Sequence, residues 1–470
     1  MKDSLGRFVS SSSRLAAVSL AVGEALTLDG HATPPRQVTH ATHDHVLTNI
    51  NAWSPDGRWL VYDLRSGAGF NGRRIEQINV ETGEVQCLYE TSGEASCGVA
   101  TYHPREPKAV FILGPEPSAH WTYGFSRRRG VIVDARHPSA VQSLDAMHYA
   151  PPFAPGALRG GSHVHVFSPD GQWVSFTYDD EVLARLPAGG THDANQRNVG
   201  IAVPAGPVRV NRNHPRNNDG DYFSVLVTRT VNHPQPGSDE INRACEEGWV
   251  GADGYVRADG TRQQRALAFQ GTVIAPDGRE HAEVFIVDLP EEIAAVPGAP
   301  LEGTESTRPA PPAGARQRRL TFTTARRHLG IVASPRHWLR ASPDGTQIAF
   351  LMKDDEGVVQ LWKVSPNGGT PQQVTRNATG ISSAFTWSPD GRWIAHTMDR
   401  SVCVTEVASG HSVRLTAPVD ESFAPLPHAC VFSPDGTRIA YMQQVETRGA
   451  SLTQLFVVAL PDELRTPVAP

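Results

Sequence analysis

Nowhere in the 470-residue chain do about eighteen apolar residues run together, so no transmembrane helix is expected. Basic charge is not in excess either: 43 Lys and Arg stand against 49 Asp and Glu, a net −6 that lacks the electrostatic footprint of a nucleic-acid binder. Cysteine is scarce. The five (Cys87, Cys97, Cys245, Cys403, Cys430) form no CxxC pair and leave one over in any disulfide scheme, which fits a reducing compartment or simply buried thiols. There is no GxSxG nucleophile elbow, P-loop or HExxH, and this speaks against a peptidase in which a propeller guards a hydrolase domain. A GxGxxG pattern at 67–72 lacks the helix that would hold a pyrophosphate, because Arg73 to Val80 reads as a strand.

What the chain has in plenty is glycine (42) and proline (37), a composition suited to many short strands and turns. The turn sequence Ser-Pro-Asp-Gly recurs from Ser54, Ser168, Ser342, Ser388 and Ser433, and four of the five copies follow an aromatic residue (Trp53, Phe167, Trp387, Phe432). The last three copies are spaced by 46 and 45 residues, with strand-like runs on both sides. A period in the forties with about four strands per unit predicts β-propeller blades.

A closing phrase repeats as well, at Gln37-Val38-Thr39, Arg319-Leu320-Thr321, Gln373-Val374-Thr375 and Arg414-Leu415-Thr416, each read as an outermost strand. Two degenerate units complete the count. One is built around Thr101-Tyr102-His103-Pro104. The other starts at Asp221 and takes DYFSVLVTRTV as its first strand, with a capped helix expected from Ser238 to Gly248. The expected fold is all-β, a seven-bladed propeller. The last blade lacks an outer strand and the spare strand Arg36 to His40 supplies it, hiding two edges.

One domain is thus expected over 36–470, with an insertion at about 232–262. Residues 1–35 read as a leader or disordered segment. Their apolar run 15–23 resembles a signal-peptide core, but Glu24 interrupts it and no clean cleavage site follows, so a cytoplasmic location is expected rather than a periplasmic one.

Five residues before each turn serine lies the start of the innermost strand, where propeller strands converge. That register holds Asn49, Gly98, His163, His337, Ser383 and His428. Three imidazoles aimed at one space from different blades suit a divalent metal (Mn, Zn or Ca) with an open coordination position, so His163, His337 and His428 are the expected ligands. The plainer reading is polar lining of a wet channel. Strand alternation puts His165 on the same side as His163, in a supporting role. The loops of that face offer His45, Arg327 and His328 as catalytic candidates. Asn49, Arg73, Trp121, Tyr123 and Arg128 join His165 as ligand-binding candidates. Guanidinium groups among aromatic rings suit an acidic oligosaccharide or another small anion, and a solvated surface is the rival account.

The SPDG-centred blades resemble TolB-type propeller repeats from residue 36 onward. The stretches ALRGGSHVHVFSPDG, NRNHPRNNDGDYFSVLVTRTV and SDEINRACEEGWVG resemble the YidR-like family. In architecture the chain is similar to oligogalacturonate lyases, and that resemblance implies a metal-assisted lyase acting on acidic oligosaccharides. The TolB resemblance implies the alternative, a non-catalytic platform that binds a protein or glycan.

Overall fold

A computed structural model describes residues 26–27, 34–67, 69–118 and 120–465. The expected leader therefore lies outside the described residues, apart from Leu26–Thr27 and Pro34 with Pro35.

Seven sheets form the ring of a β-propeller, antiparallel within each blade, and Leu26–Thr27 adds a parallel strand outside Ser412–Arg414 of blade 6. Blade 1 consists of Trp59–Asp63, Arg74–Asn79 and Val85–Glu90, with an inner segment bridging at Val46 and Trp53. Blade 2 is Cys97–Tyr102, Lys108–Leu113, Arg129–Asp134 and Val141–Ser143. Blade 3 runs through Gly160–Phe167, Val174–Asp180, Asn198–Val203 and Phe223–Leu226. Blade 4 comprises Arg243–Trp249, Ala266–Ile274, Glu280–Asp288 and Arg316–Arg319. Blades 5 and 6 begin at Arg340–Ala341 and Thr386–Trp387 and end at Gln372–Gln373 and Ser412–Arg414. Among the described residues no helix is long and apolar enough to cross a membrane.

The repeated sequence works through side chains that replace backbone partners. In the first turn, the Ser54 hydroxyl donates to Asp56 and accepts from the Trp59 amide at 2.9 Å, while Gly57 takes φ +67°, a value that glycine adopts without strain. At the ends of the outer strands Thr39, Thr228, Thr321, Thr375 and Thr416 each accept a neighbouring strand's amide on Oγ1, from Leu455, Val199, Val284, Leu361 and Val402. The closing phrase ends in threonine because its hydroxyl continues the ladder where the strand stops. Between blades, three indoles latch onto the preceding blade: Trp53 to the Val431 carbonyl (3.1 Å), Trp249 to Val166 (3.0 Å) and Trp387 to Arg340 (2.9 Å).

The ring closes as expected. Pro425–Phe432, Arg438–Thr447 and Ala450–Ala459 form the first three strands of blade 7, and Arg36–Gln37 pairs antiparallel with the third of them. Val38 buries its side chain and donates its amide to Leu455 at 2.7 Å.

Blade 4 requires a correction. The segment expected to be a capped helix contains its innermost strand, Arg243–Trp249, and Phe223–Leu226 belongs to blade 3 as the outer strand. The charged pair Glu246-Glu247 hid the strand pattern. The connection that follows carries a small hairpin, Tyr255–Val256 with Arg262–Gln263, in place of an SPDG turn.

Candidate functional site

The inner strands begin at one face of the ring, and there the register of Asn49, His163, His337 and His428 gains a member from blade 4, Cys245. Blades 2, 3 and 4 bulge at this point. The pairing slips between Gly98 and Thr101, between His163 and Val166, and between Cys245 and Gly248. The residue inside each bulge has a left-handed backbone: Val99 (φ 60°), Val164 (φ 54°) and Glu246 (φ 56°). A β-branched residue in that region costs about 1–2 kcal/mol, so packing of the ring must hold it there. Such strain gathers around functional sites.

Two cavities open on this face, of about 920 Å³ and 790 Å³, and both are lined by Arg336. Arg336 precedes the inner strand of blade 5. Its guanidinium makes a forked pair with the Glu246 carboxylate (3.0 and 3.1 Å) and lies 4.4 Å over the Trp338 ring, yet its side chain remains half exposed. Around it, Arg65 pairs with Asp63 at 2.6 Å and Arg197 with Asp179 at 3.2 Å. Deeper in the ring, Arg340 of blade 5 donates to the Asn49 side chain of blade 1, bridging two blades that are not neighbours. This contact lies across the axis and floors the funnel. Burial brings Arg340 down to about 9 and lifts the nearby Glu247 carboxyl to about 7.

His337 lines the larger cavity and His428 the smaller, while buried His163 lines neither; His163 and His428 both sense positive charge. Burial, followed by the guanidinium groups of Arg128, Arg197 and Arg336, holds His163 well below the ordinary imidazole value. For His428, burial and then Arg65 and Arg336 act in the same direction. Both imidazoles are therefore neutral at pH 7, in a field set by arginines. Arg128 itself is buried and has no carboxylate within ion-pair distance among the described residues. It donates to the Tyr123 hydroxyl (3.0 Å) and the Phe125 carbonyl (3.3 Å), and the exposed Phe125 ring lies 4.9 Å from it.

The expected three-histidine metal centre does not form. His337 has both ring nitrogens engaged with backbone: Nδ1 donates to the Pro335 carbonyl (3.0 Å) and Nε2 accepts from the Leu351 amide (3.1 Å). No group of three or more His, Cys, Asp or Glu side chains among the described residues could hold a metal ion. With both nitrogens of His337 engaged, His163, His337 and His428 do not make up a ligand triad in this arrangement.

Other candidates are dispersed. The bulge at Val164 breaks the alternation that was to place His165 beside His163. His165 is fully buried between blades 2 and 3, with Nε2 on the Ser162 hydroxyl at 3.0 Å and 3.7 Å from the Asp145 carboxylate. Gly130 makes the room, since a Cβ there would come within 2.6 Å of that nitrogen. His45 is buried against His43 and Tyr62, and burial lowers it to about 4. Arg327 reaches the Asp355 carbonyl at 3.4 Å, and His328 lies beside Gly357, so neither meets His45. Arg73 donates to the Gly93 carbonyl at the rim. Asn49 does line the funnel, Tyr123 holds Arg128, and Trp121 lines a separate cavity. Arg336, Trp338, Arg65 and Arg197 escaped the sequence reading, although Arg336 and Trp338 flank His337 directly.

Residues 96–218 match the DUF3748 family model, described as a protein of unknown function. The Escherichia coli (strain K12) protein YidR, described as uncharacterized, is 50% identical over 414 residues, which are 87% of this chain and 94% of that one. Among solved structures, an oligogalacturonate lyase in complex with manganese is similar at TM-score 0.52 and 12% identity, covering 91% of this chain and 93% of that one. The oligogalacturonate lyase of Vibrio parahaemolyticus gives TM-score 0.52 and 11% identity, with 91% and 94% covered. At such identities the likeness concerns the propeller fold.

Proposed function

This chain belongs to the YidR family, and from the funnel its fold builds we propose that it binds an acidic oligosaccharide there. The observation that carries this reading is Arg336, half exposed at the junction of two cavities, held in orientation by Glu246 and stacked on Trp338. A fixed guanidinium fork matches a carboxylate in two hydrogen bonds, and flanking rings suit the apolar faces of pyranoses. Neutral His428 adds a hydrogen-bonding group without opposing charge. The architectural likeness to oligogalacturonate lyases supports a uronic-acid ligand. Equilibrium dialysis against an oligogalacturonate and against the same oligomer with its carboxyls reduced to alcohols tests the reading. Retention of the acid form alone supports it, and equal retention or none refutes it.

One observation favours a second reading, β-elimination: His428 is an exposed neutral imidazole beside Arg65 and Arg336. In that step the imidazole takes the proton α to the carboxylate, the electron pair forms a carbon–carbon double bond, and the glycosidic oxygen leaves from the β carbon and is protonated. The arginines stabilise the charge that develops on the carboxylate. The unsaturated product absorbs in the ultraviolet. Absorbance that rises with enzyme concentration and disappears in His428→Ala supports this reading, and a flat trace leaves binding as the function.

A further inference from the structure

The triplet Arg127-Arg128-Arg129 straddles a wall. Arg128 turns toward the funnel side, where it reaches Tyr123 and Phe125, while Arg127 and Arg129 line a cavity of about 370 Å³ between blades 2 and 3. This cavity shares no lining residue with the two of the funnel.

We infer that this cavity is a second binding site, built for a ring compound bearing a single carboxylate. Its charges argue for one negative group. Arg127 shares the Glu181 carboxylate with Arg185 outside the lining (2.9 and 2.7 Å), and Arg216, held by the Glu116 carbonyl at 2.7 Å, is balanced in formal charge by the Glu116 side chain in the same wall. Arg129 is left over: among the described residues its guanidinium has no hydrogen-bond or ion-pair partner. The hydroxyls of Tyr89 and Tyr149 also have none among the described residues, and both side chains line the cavity. All three side chains are partly exposed, so these polar groups face the cavity with no protein partner to displace, and a ligand can take them together.

The rest of the lining suits a ring. Trp121 is buried under Arg127 and Arg185 (5.0 and 4.7 Å) and packs edge-on to Tyr149 at 4.9 Å, with His214 behind both rings, so Tyr89 and Tyr149 are the aromatic groups that face the cavity. Their rings can cover a pyranose or an aromatic ring while Arg129 takes its carboxylate. A planar carboxylate is favoured over a phosphate dianion because, of the three lining guanidinium groups, Arg129 alone has no protein partner among the described residues. This inference does not rest on the funnel reading.

The test follows the Trp121 indole resonance by NMR in the full-length protein, assigned by its loss in Trp121→Phe. The probes are D-galacturonate, benzoate, D-galactose and inorganic phosphate. Each is titrated into the wild type and into Arg336→Gln, so that binding in the funnel is told apart. Saturable shifts with galacturonate, benzoate or both, in both proteins, are expected, and which one binds tells a pyranose ligand from an aromatic one. Arg129→Gln should weaken that binding by about tenfold or more. Its thermal midpoint without ligand should be unchanged or raised, because the substitution removes no hydrogen bond or ion pair of the protein. The inference is overturned if neither carboxylate shifts the resonance, if galactose or phosphate shifts it as strongly, or if folded Arg129→Gln binds like the wild type.

Discussion

Arg336 and Glu246 clasp each other across the boundary of blades 5 and 4 through two parallel hydrogen bonds of 3.0 and 3.1 Å. Glu246 can reach Arg336 because it occupies the left-handed position of the blade 4 bulge. The strained backbone thus sets the direction of the guanidinium that both funnel cavities share. In Arg336→Lys the charge stays and the fork is lost, so affinity for an acidic oligosaccharide should fall by about three- to tenfold and its salt dependence persist. Calorimetric titration at two ionic strengths checks both.

His337 and His163 share a register, but their substitutions should differ. His337→Ala strands the Leu351 amide and the Pro335 carbonyl in the interior and leaves a void, which should cost about 2–4 kcal/mol. His163→Ala should cost markedly less, since Nδ1 of His163 is buried without a partner and the ring lies under three arginine charges. Urea unfolding of the two variants gives the comparison, and bound metal by elemental analysis should change in neither.

Acid should unfold the protein through its buried neutral histidines. His45, His337 and His396 are each lowered to about 4 from an ordinary 6.5, chiefly by burial. Below pH 6.5 the unfolded chain binds protons that the folded chain refuses, so stability complete above 6.5 is lost as the pH falls toward 4. Each such histidine contributes a slope of about 1.4 kcal/mol per pH unit in that window. Thermal midpoints measured from pH 7.5 to 4.5 should hold down to about 6.5 and then fall. A midpoint that does not change across the window would contradict the assignment.

Ring closure can be tested by truncation. Removing residues 1–41 takes away Arg36–Gln37, the buried Val38 and the Thr39 hydroxyl that accepts from Leu455, exposing an edge on blade 7. Removing 1–35 spares them all and takes only the two-residue strand Leu26–Thr27 from the outside of blade 6. The shorter truncation should melt closer to the full-length protein and the longer one well below both.

The repeat was legible because its signals are local. Ser, Asp and Gly make the turn within four residues, and a closing Thr completes its own ladder, so turn and outer strand can be read without knowing the fold. Blade 4 has neither an SPDG turn nor an alternating inner strand. Its remaining signal is Trp249, which latches onto blade 3 as Trp53 and Trp387 latch onto their own predecessors. The site was only partly legible. The register found the funnel, but the backbone inversion at Val164 cancelled the alternation on which His165 was placed, and nothing local announces it. His337 illustrates a further limit, because its partners are backbone groups of its own blade that no side-chain pattern records.

The central claim is that the funnel binds an acidic oligosaccharide through Arg336. Calorimetric titration of the wild type and of Arg336→Gln with the same oligogalacturonate tests it most directly. The account predicts saturable binding by the wild type, weaker at higher salt, and a loss of about tenfold or more in the folded variant. Equal affinity of the two proteins, or no binding by the wild type, would contradict it.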